Sequence, residues 1–516
     1  MSLRLSLGCL AALVFAMAAA AAETVPLDIG SRRELFVDDS VIDRLTGVTR
    51  RLQSPVAREI ALTHDAPWEG GGCGYHSVFR DGEKYRLYYR GSRINVTAKP
   101  TGVACYAESD DGVRWRKPNL GLVEFGGSRE NNIVFASGPY PGLPDQLDAG
   151  HIAFFHDTNP NVPAEARYKA LVGADGMRAL YAFASADGIQ WKPLRTEPIL
   201  RSGADPNEYF DSQNTAIWDA RDNCYRAYCR TWTGGLRGIR TATSTDFLTW
   251  GEFTTVEFQP GAPSEQLYTN AIAPYARAPH LLLGFPARYV DRGWTESVRQ
   301  LPDLAGRQQR EKLGHPRFAT AVTDAQLMSS RDGRKFHRWP EAFLRPGLER
   351  PGTWNYGHQY LAWGLVETAS ELDPGIPELS LYAVEKYWDS HAAALRRYTV
   401  RADGFVALHA DAAGGEAVTK PLTFAGGELA LNFSSSAAGG IRVELQDADG
   451  KPLPGFSLGD CDELYGDALD RRVSWRGKRD VGALAGDTIR LRFTLKDADL
   501  YAFRFVADER QQSAKP

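Results

Sequence analysis

Alternating apolar and aromatic runs recur along the chain: "YRLYYRG" from Tyr85, "YKALVG" from Tyr168, "YRAYCR" from Tyr225, "LLLGF" from Leu281 and "LSLYAVEKYW" from Leu379. Period-two alternation points successive side chains to opposite faces, so each run predicts a strand. Downstream of the first four stands a second phrase: "ESDDGVRW" at 108–115, "ASADGIQW" at 184–191, "TSTDFLTW" at 243–250 and "SSRDGRKFHRW" at 329–339. A Ser, an Asp two residues later and then an aromatic predict a tight turn whose backbone is bonded by the Ser and Asp side chains. The aromatic packs as the next strand begins.

Before each run comes a further short strand: "YHSVFRDG" at 75, "GHIAFFHD" at 150, "DSQNTAIWDARDN" at 211, "EQLYTNAIAPYARAP" at 265 and "NYGHQYLAWGLVE" at 355. The order inner strand, middle strand, turn, outer strand, at roughly 40–100 residues per unit, with a fifth run that lacks the turn, predicts a five-bladed β-propeller. It spans 23–396. From Arg397 the text changes to clean alternation with few aromatics, as in "YTVRADGFVALHA" and "TIRLRFTLKDADLYAFRF", which predicts a C-terminal β-sandwich over 397–510. The fold class is therefore all-β. The stretch 289–318, with Arg292, Arg307, Arg310, Lys312 and Arg317, fits neither pattern and is expected to be a solvated basic loop inside the fourth blade, with a substrate lid as the alternative.

Composition changes this picture at the N-terminus. Residues 1–22 combine Arg4, an apolar run and Ala20-Ala21-Ala22, which reads as a secretory signal cleaved after Ala22. The mature protein is then expected in the periplasm or secreted, with no membrane span. Cys9, after Leu7-Gly8, is too close to the N-terminus for a lipoprotein box. A formal net charge of −4 with mixed signs supplies no basic stripe for nucleic acid. The cysteines Cys73, Cys105, Cys224, Cys229 and Cys461 lack metal spacing and are expected to be buried free thiols, a Cys73–Cys105 bridge being the one alternative. No cofactor is implied, and the oligomeric state is left open.

Polar residues beside a propeller channel are costly to bury unless they face water or a ligand. The five inner strands start with Tyr75-His76, with Asp148 and His151, with Asp211-Ser212-Gln213-Asn214, with Glu265-Gln266, Tyr268 and Asn270, and with Asn355-Tyr356, His358 and Gln359. Together they predict one polar pocket at one channel mouth. Amides, hydroxyls and aromatic faces such as Trp218, Tyr268 or Trp354 suit a carbohydrate, and paired carboxylates are what glycoside hydrolysis requires. Asp211 and Glu265 are the candidate acid/base pair, with Asp148 orienting substrate or tuning a pKa. Candidate substrate contacts are His76, Tyr75, His151, Gln213, Asn214, Tyr268, Asn270, Tyr356, His358 and Arg240; Arg230, Arg240 and Arg288 are candidates for an anionic sugar. Bland alternatives stand beside each: an exposed turn for Asp148, an Asx turn for Asp211, solvation for Glu265, structural roles for the histidines and salt bridges for the arginines.

The stretch "PVAREIALTHDAPWEGGGCGYHSVFRDGEKYRLYYRG", with "YAESDDGVRWRKP", resembles the first blade of the five-bladed β-propeller glycosidases, the superfamily of invertases, arabinanases and mannoside phosphorylases. "ELFVDDSVID", "FDSQNTAIWD", "TDAQLMSSRDG" and "ELSLYAVEKYW" also resemble glycoside-hydrolase-like exported proteins of polysaccharide-degrading bacteria. The resemblance implies a hydrolase acting on a plant or algal poly- or oligosaccharide. It also implies an Asp on the first inner strand, where this chain has Cys73-Gly74-Tyr75-His76, with Asp65 and Glu69 just upstream. An order Asp, Asp, Glu is kept only with a shift of one blade, as Asp148, Asp211 and Glu265. The competing reading is a non-catalytic glycan-binding propeller; a sialidase-like reading of the Ser-x-Asp turns lacks the spacing of a true Asp-box.

Overall fold

The computed structural model describes residues 25–93, 102–203, 209–388 and 392–506. The leader predicted at 1–22 lies outside them. Five antiparallel sheets follow one another along the chain. The first is Gly74–Asp81, Lys84–Gly91, Val103–Ser109 and Ile133–Ala136, and the second is built on Gln146–His156, Tyr168–Ala174, Ala179–Ser185 and Lys192–Pro193. The third is Thr215–Asp219, Cys224–Thr233, Leu236–Ser244 and Thr254–Thr255. The fourth orders Ala273–Tyr275, Ala278–Gly284, Met328–Ser330 and Lys335–Arg338, with Glu257–Phe258 added in parallel and a separate ribbon of Gln266–Leu267, Ala287–Asp291 and Ala321–Ala325 beside it. The fifth is Val366–Ala369, Pro377–Glu385, Ala394–Arg401 and Val56–Thr63.

Neighbouring sheets are tied to one another near their first strands. Ser77 bridges Trp363 in parallel, and the Ser77 hydroxyl accepts from Phe154 N at 3.3 Å. Thr215 Oγ1 donates to Asn270 Oδ1 at 2.9 Å, and Trp363 Nε1 donates to Ile272 O at 2.8 Å, which links the fifth sheet back to the fourth. Strands covered on both faces read as nearly continuous apolar text, and every residue of Tyr168–Ala174 and Ala179–Ser185 is buried.

The four Ser-x-Asp phrases form one turn built four times. Ser109 accepts from Gly112 N at 2.9 Å, and Asp111 Oδ1 accepts from Val113 N and Arg114 N at 2.8 Å each. Ser185 with Asp187, Ser244 with Asp246, and Ser330 with Asp332 repeat the pattern. Each turn joins the third strand of its sheet to the fourth, so three strands precede it and not the two expected from the sequence. The fifth sheet needs no such turn because its outer strand, Val56–Thr63, comes from the N-terminal side of the chain.

The last part of the chain builds a ten-stranded sheet in which Glu428–Asp447 and Ile489–Val506 pair along most of their length. Leu27–Gly30, Glu34–Leu35, Ile42–Thr46 and Thr49–Leu52 join this sheet, although in sequence they precede the first one. Conversely Ala394–Arg401 lies in the fifth sheet, past the change of text at Arg397. Such exchanges rest on pairings hundreds of residues apart and leave no local signal. The buried Asp403 fastens the two regions: it accepts from Tyr275 Oη and Arg277 Nε at 2.7 and 2.8 Å and pairs with Arg33 at 3.1 Å.

The stretch 289–318 is not a solvated loop. It carries the short helices Glu296–Gln300 and Leu304–Glu311, capped by Thr295 and Asp303, and runs into Arg317–Thr320. Arg307 and Arg310 are buried within it. All five described cysteines are free and buried, and burial pushes the Cys73 thiol up to about 12.

Candidate functional site

Asp148, His151 and Asp211 form a continuous line at the starts of the second and third inner strands. His151 Nδ1 lies 3.0 Å from Asp148 Oδ1, and its Nε2 lies 3.4 Å from Asp211 Oδ1. A break in pairing register between Asp148 and Ala153 aims Asp148 and His151 at one another. Gly150 makes room for this: a Cβ there would stand 3.0 Å from Asp148 Oδ1 and 3.2 Å from Arg90 Cδ. Burial alone would raise the Asp148 carboxyl, but the hydrogen bond and charge of His151, Gly150 N–H and Arg90 hold it below the usual carboxylate value. The two carboxylates remain open to solvent, with side chains 35% and 39% exposed.

Asp211 owes its place to its neighbours. Ser212 Oγ donates to Tyr268 O at 2.9 Å, and the Asn214 amide donates to Phe210 O and Ser212 O at 2.8 and 2.9 Å. Gln213 Nε2 crosses to the first sheet, donating to Tyr75 O at 2.9 Å and Ser77 Oγ at 3.1 Å. The polar run thus splits: Asp211 faces solvent, while Ser212, Gln213 and Asn214 build the turn that presents it.

Beside the acids lies a buried group of tyrosines. Tyr75 packs 5.0 Å from His151 and stacks on Tyr360 at 6.5 Å; Tyr360 stacks on Tyr268 at 5.3 Å, and Tyr356 Oη donates to Tyr268 Oη at 2.6 Å. Tyr387 adjoins Tyr356 and Tyr360 at 5.9 and 5.6 Å. Burial, reinforced by the neighbouring phenols, pushes Tyr75, Tyr356 and Tyr360 well above the ordinary phenol value, so they stay neutral donors. Backbone strain collects here: Tyr75, Trp354, Gln359, Lys386 and Trp388 have φ of 51°, 57°, 64°, 57° and 57°. Four arginines cover the tyrosines. Arg90 lies over Tyr75 at 4.7 Å, Arg230 and Arg237 over Tyr268 at 4.7 and 5.1 Å, and Arg317 over Tyr356 at 5.8 Å.

Glu265 belongs elsewhere. Its oxygens are taken by Arg288 at 3.1 Å, by Gln326 at 3.0 Å and by the buried Arg338. Despite burial, these partners hold its carboxyl below the usual value, the opposite of what a proton donor needs. His76 turns into the first sheet, its Nε2 3.1 Å from His64 Nε2 and its ring stacked on Tyr89. His358 Nδ1 accepts from Trp354 N at 3.0 Å, and burial lowers both His76 and His358 to about 3. Asn270 accepts from Thr215 and Ile272 N. Arg240 lies against the Phe210 and Phe253 rings at 5.2 and 4.2 Å, and Arg288 is held by Asp324 at 2.6 Å. Trp218 lines a cavity of about 650 Å³ with Phe79, Phe154 and Trp363 at the far ends of the inner strands, away from the acids. Glu69 is taken by Tyr89 Oη and Lys117, both at 2.6 Å, and Asp65 by Lys117 at 3.2 Å, so neither replaces an acid of the first inner strand.

Sequence reasoning missed Arg90, Arg237, Tyr360 and Tyr387, and named Arg317 only within the basic stretch 289–318. Arg90 and Tyr387 end the alternating runs "YRLYYRG" and "LSLYAVEKYW", which was the available signal. Among the described residues no group of three or more His, Cys, Asp or Glu side chains could hold a metal ion, and no helix is long and apolar enough to cross a membrane.

No protein-family model and no curated protein matches the chain. Solved structures similar to it include one from the GH130 family of mannoside phosphorylases, described with glycoside hydrolases that target β-1,2-mannosidic linkages in Candida mannan: 14% identical, TM-score 0.38, covering 70% of this chain and 96% of that one. A GH43 β-1,3-galactosidase is 11% identical with a TM-score of 0.38, over 68% of this chain and 60% of that one. An N-acetylgalactosamine deacetylase from F. plautii, in complex with blood group B trisaccharide, is 12% identical with a TM-score of 0.39, over 68% and 95%. Two further similar structures, 14% and 11% identical with TM-scores of 0.39 and 0.37, are described as glycoside hydrolases.

Proposed function

We propose that the protein is an exported glycoside hydrolase, with the five sheets as the blades of a β-propeller and the ten-stranded sheet as its C-terminal sandwich. The observation that carries the chemistry is the solvent-facing line Asp148–His151–Asp211 where the inner strands begin. Asp148, held ionised, orients His151. Asp211, with His151 Nε2 beside it at 3.4 Å, delivers a proton to the glycosidic oxygen. The C–O bond then breaks with its electron pair on the leaving oxygen, water adds its hydroxyl to the anomeric carbon, and the second water proton returns to the Asp211–His151 pair. The buried tyrosines beside the acids offer ring faces and neutral hydroxyls suited to a sugar.

Release of reducing ends from a panel of plant and algal oligosaccharides tests the reading. Hydrolysis that Asp211→Asn abolishes while leaving glycan affinity intact supports it. Equal affinity and no hydrolysis in either protein would mark a binding propeller instead.

A further inference from the structure

Several buried arginines in this protein are matched to carboxylates, whereas the buried Arg307 donates to the carbonyls of Pro302, Ala319 and Trp354. Arg33 pairs with Asp403 at 3.1 Å, Arg226 with Asp219 at 3.0 Å, Arg310 with Asp303 at 3.1 Å, Arg397 with Glu378 at 3.0 Å, and Arg338 with Glu265. The four at the tyrosines, Arg230 and Arg237 buried and Arg90 and Arg317 half-buried, are held differently. Arg230 donates to Tyr268 O at 2.5 Å, Arg237 to the Gln266 amide oxygen, and Arg90 to Gly72 O at 2.8 Å and to Tyr387 Oη. Arg317 packs on the rings of Phe318 and Tyr356 at 5.0 and 5.8 Å. Among the described residues none of these four has a carboxylate within salt-bridge distance.

Several donors here also lack an acceptor: Arg237 Nε, Arg317 Nε and the hydroxyl of Tyr360, which is 2% exposed. Nε–H can only donate, so the partner these groups await must bring acceptor oxygens. Among the described residues four guanidinium groups stand against the two carboxylates Asp148 and Asp211, an excess of positive charge that an anion would complete.

We propose that the sugar bound at this site is anionic, carrying a carboxylate or a sulfate ester received by Arg317 and Arg237 beside Tyr360. The inference rests on the glycan-hydrolase reading and narrows its substrate to acidic glycans. Planar guanidinium groups are well matched to such oxyanions.

The test uses the full-length Asp211→Asn protein and four probes in titration calorimetry: tetragalacturonate, its carboxyl-reduced form, a κ-carrageenan tetrasaccharide and its desulfated form. One charged probe should bind, with its uncharged counterpart weaker by roughly 10- to 100-fold, the weight of a charge-assisted hydrogen bond. Which charged probe binds distinguishes carboxylate from sulfate. Arg317→Gln should lose the same factor for the charged probe only, Arg317→Lys should recover part of it, and neither should move the melting temperature. The inference is overturned if the uncharged form binds within about twofold of the charged one, as for an exposed ion pair, if Arg317→Gln has no effect, or if neither charged probe binds. Hydrolysis of neutral oligosaccharides alone would overturn it and leave the hydrolase reading standing. A charged probe that binds but is never cleaved by the wild-type protein would do the reverse.

Discussion

Asp211 precedes the first strand of the third sheet and Glu265 precedes the ribbon beside the fourth, and their surroundings differ in kind. Both oxygens of Glu265 are bonded, by Arg288, Arg338 and Gln326, whereas Asp211 meets one imidazole nitrogen at 3.4 Å and otherwise faces solvent. A carboxylate whose lone pairs are occupied by guanidinium groups is a structural anion; one left with a titratable neighbour and open access can move a proton. Position along a strand is therefore a weak guide to role. What decides is how many of a carboxylate's lone pairs the fold has already used.

The contrast can be broken most directly at its catalytic side. Asp211→Asn should lower turnover by about 10²- to 10⁴-fold, the usual weight of a general acid or base, with the melting temperature unchanged; steady-state rates and calorimetry check both halves. Glu265→Gln should do the reverse. Removing one partner of a buried pair costs about 3–5 kcal/mol. The loss here should fall toward the lower end because Glu265 keeps 22% side-chain exposure, and denaturant unfolding would show it, with turnover per folded molecule nearly intact.

The histidines sharpen the same comparison. His76 and His358 have folded values lowered to about 3 from 6.5, so the unfolded chain binds more protons across that interval. Their penalty is absent above pH 6.5 and grows as pH falls toward 3, so stability should decline steadily through that window. Unfolding free energy against pH, compared with His76→Gln, should show a slope shallower by up to one proton in the variant. The smallest effect is expected at the repeated turns: Ser185→Ala removes the acceptor of Gly188 N at 2.9 Å and should cost about 0.5–1.5 kcal/mol by chemical denaturation, without touching activity.

Much of the architecture was legible in the text. Tyr85, Tyr168, Tyr225, Leu281 and Leu379 each open or lie within the second strand of a sheet, and the Ser-x-Asp phrases all form the turn their chemistry predicts. The strands at 27–52 were not legible as part of the last sheet, because two- to five-residue strands carry little periodicity and find their partners nearly 400 residues away. Of the candidate site, Asp148, His151, Asp211, Tyr75, Tyr268 and Tyr356 come together. His76, His358, Gln213, Asn214, Asn270, Arg240 and Glu265 serve the scaffold or lie apart from the acids. Alternation predicts that residues share a face but not which face borders the centre, and a register break such as that after Asp148 resets it.

By itself the sequence determined the all-β class, the recurring alternating strands, the four side-chain-bonded turns and the polar character of the inner-strand starts, because each follows from side chains acting on backbone within a few residues. Only the tertiary structure decided that Asp148 and Asp211 share one histidine, that Glu265 is neutralised, and that Arg90, Arg230, Arg237 and Arg317 converge with no acid partner among the described residues. Those facts depend on distances between sheets, and a charge acquires its function from whichever groups the closed fold brings within a few ångströms of it.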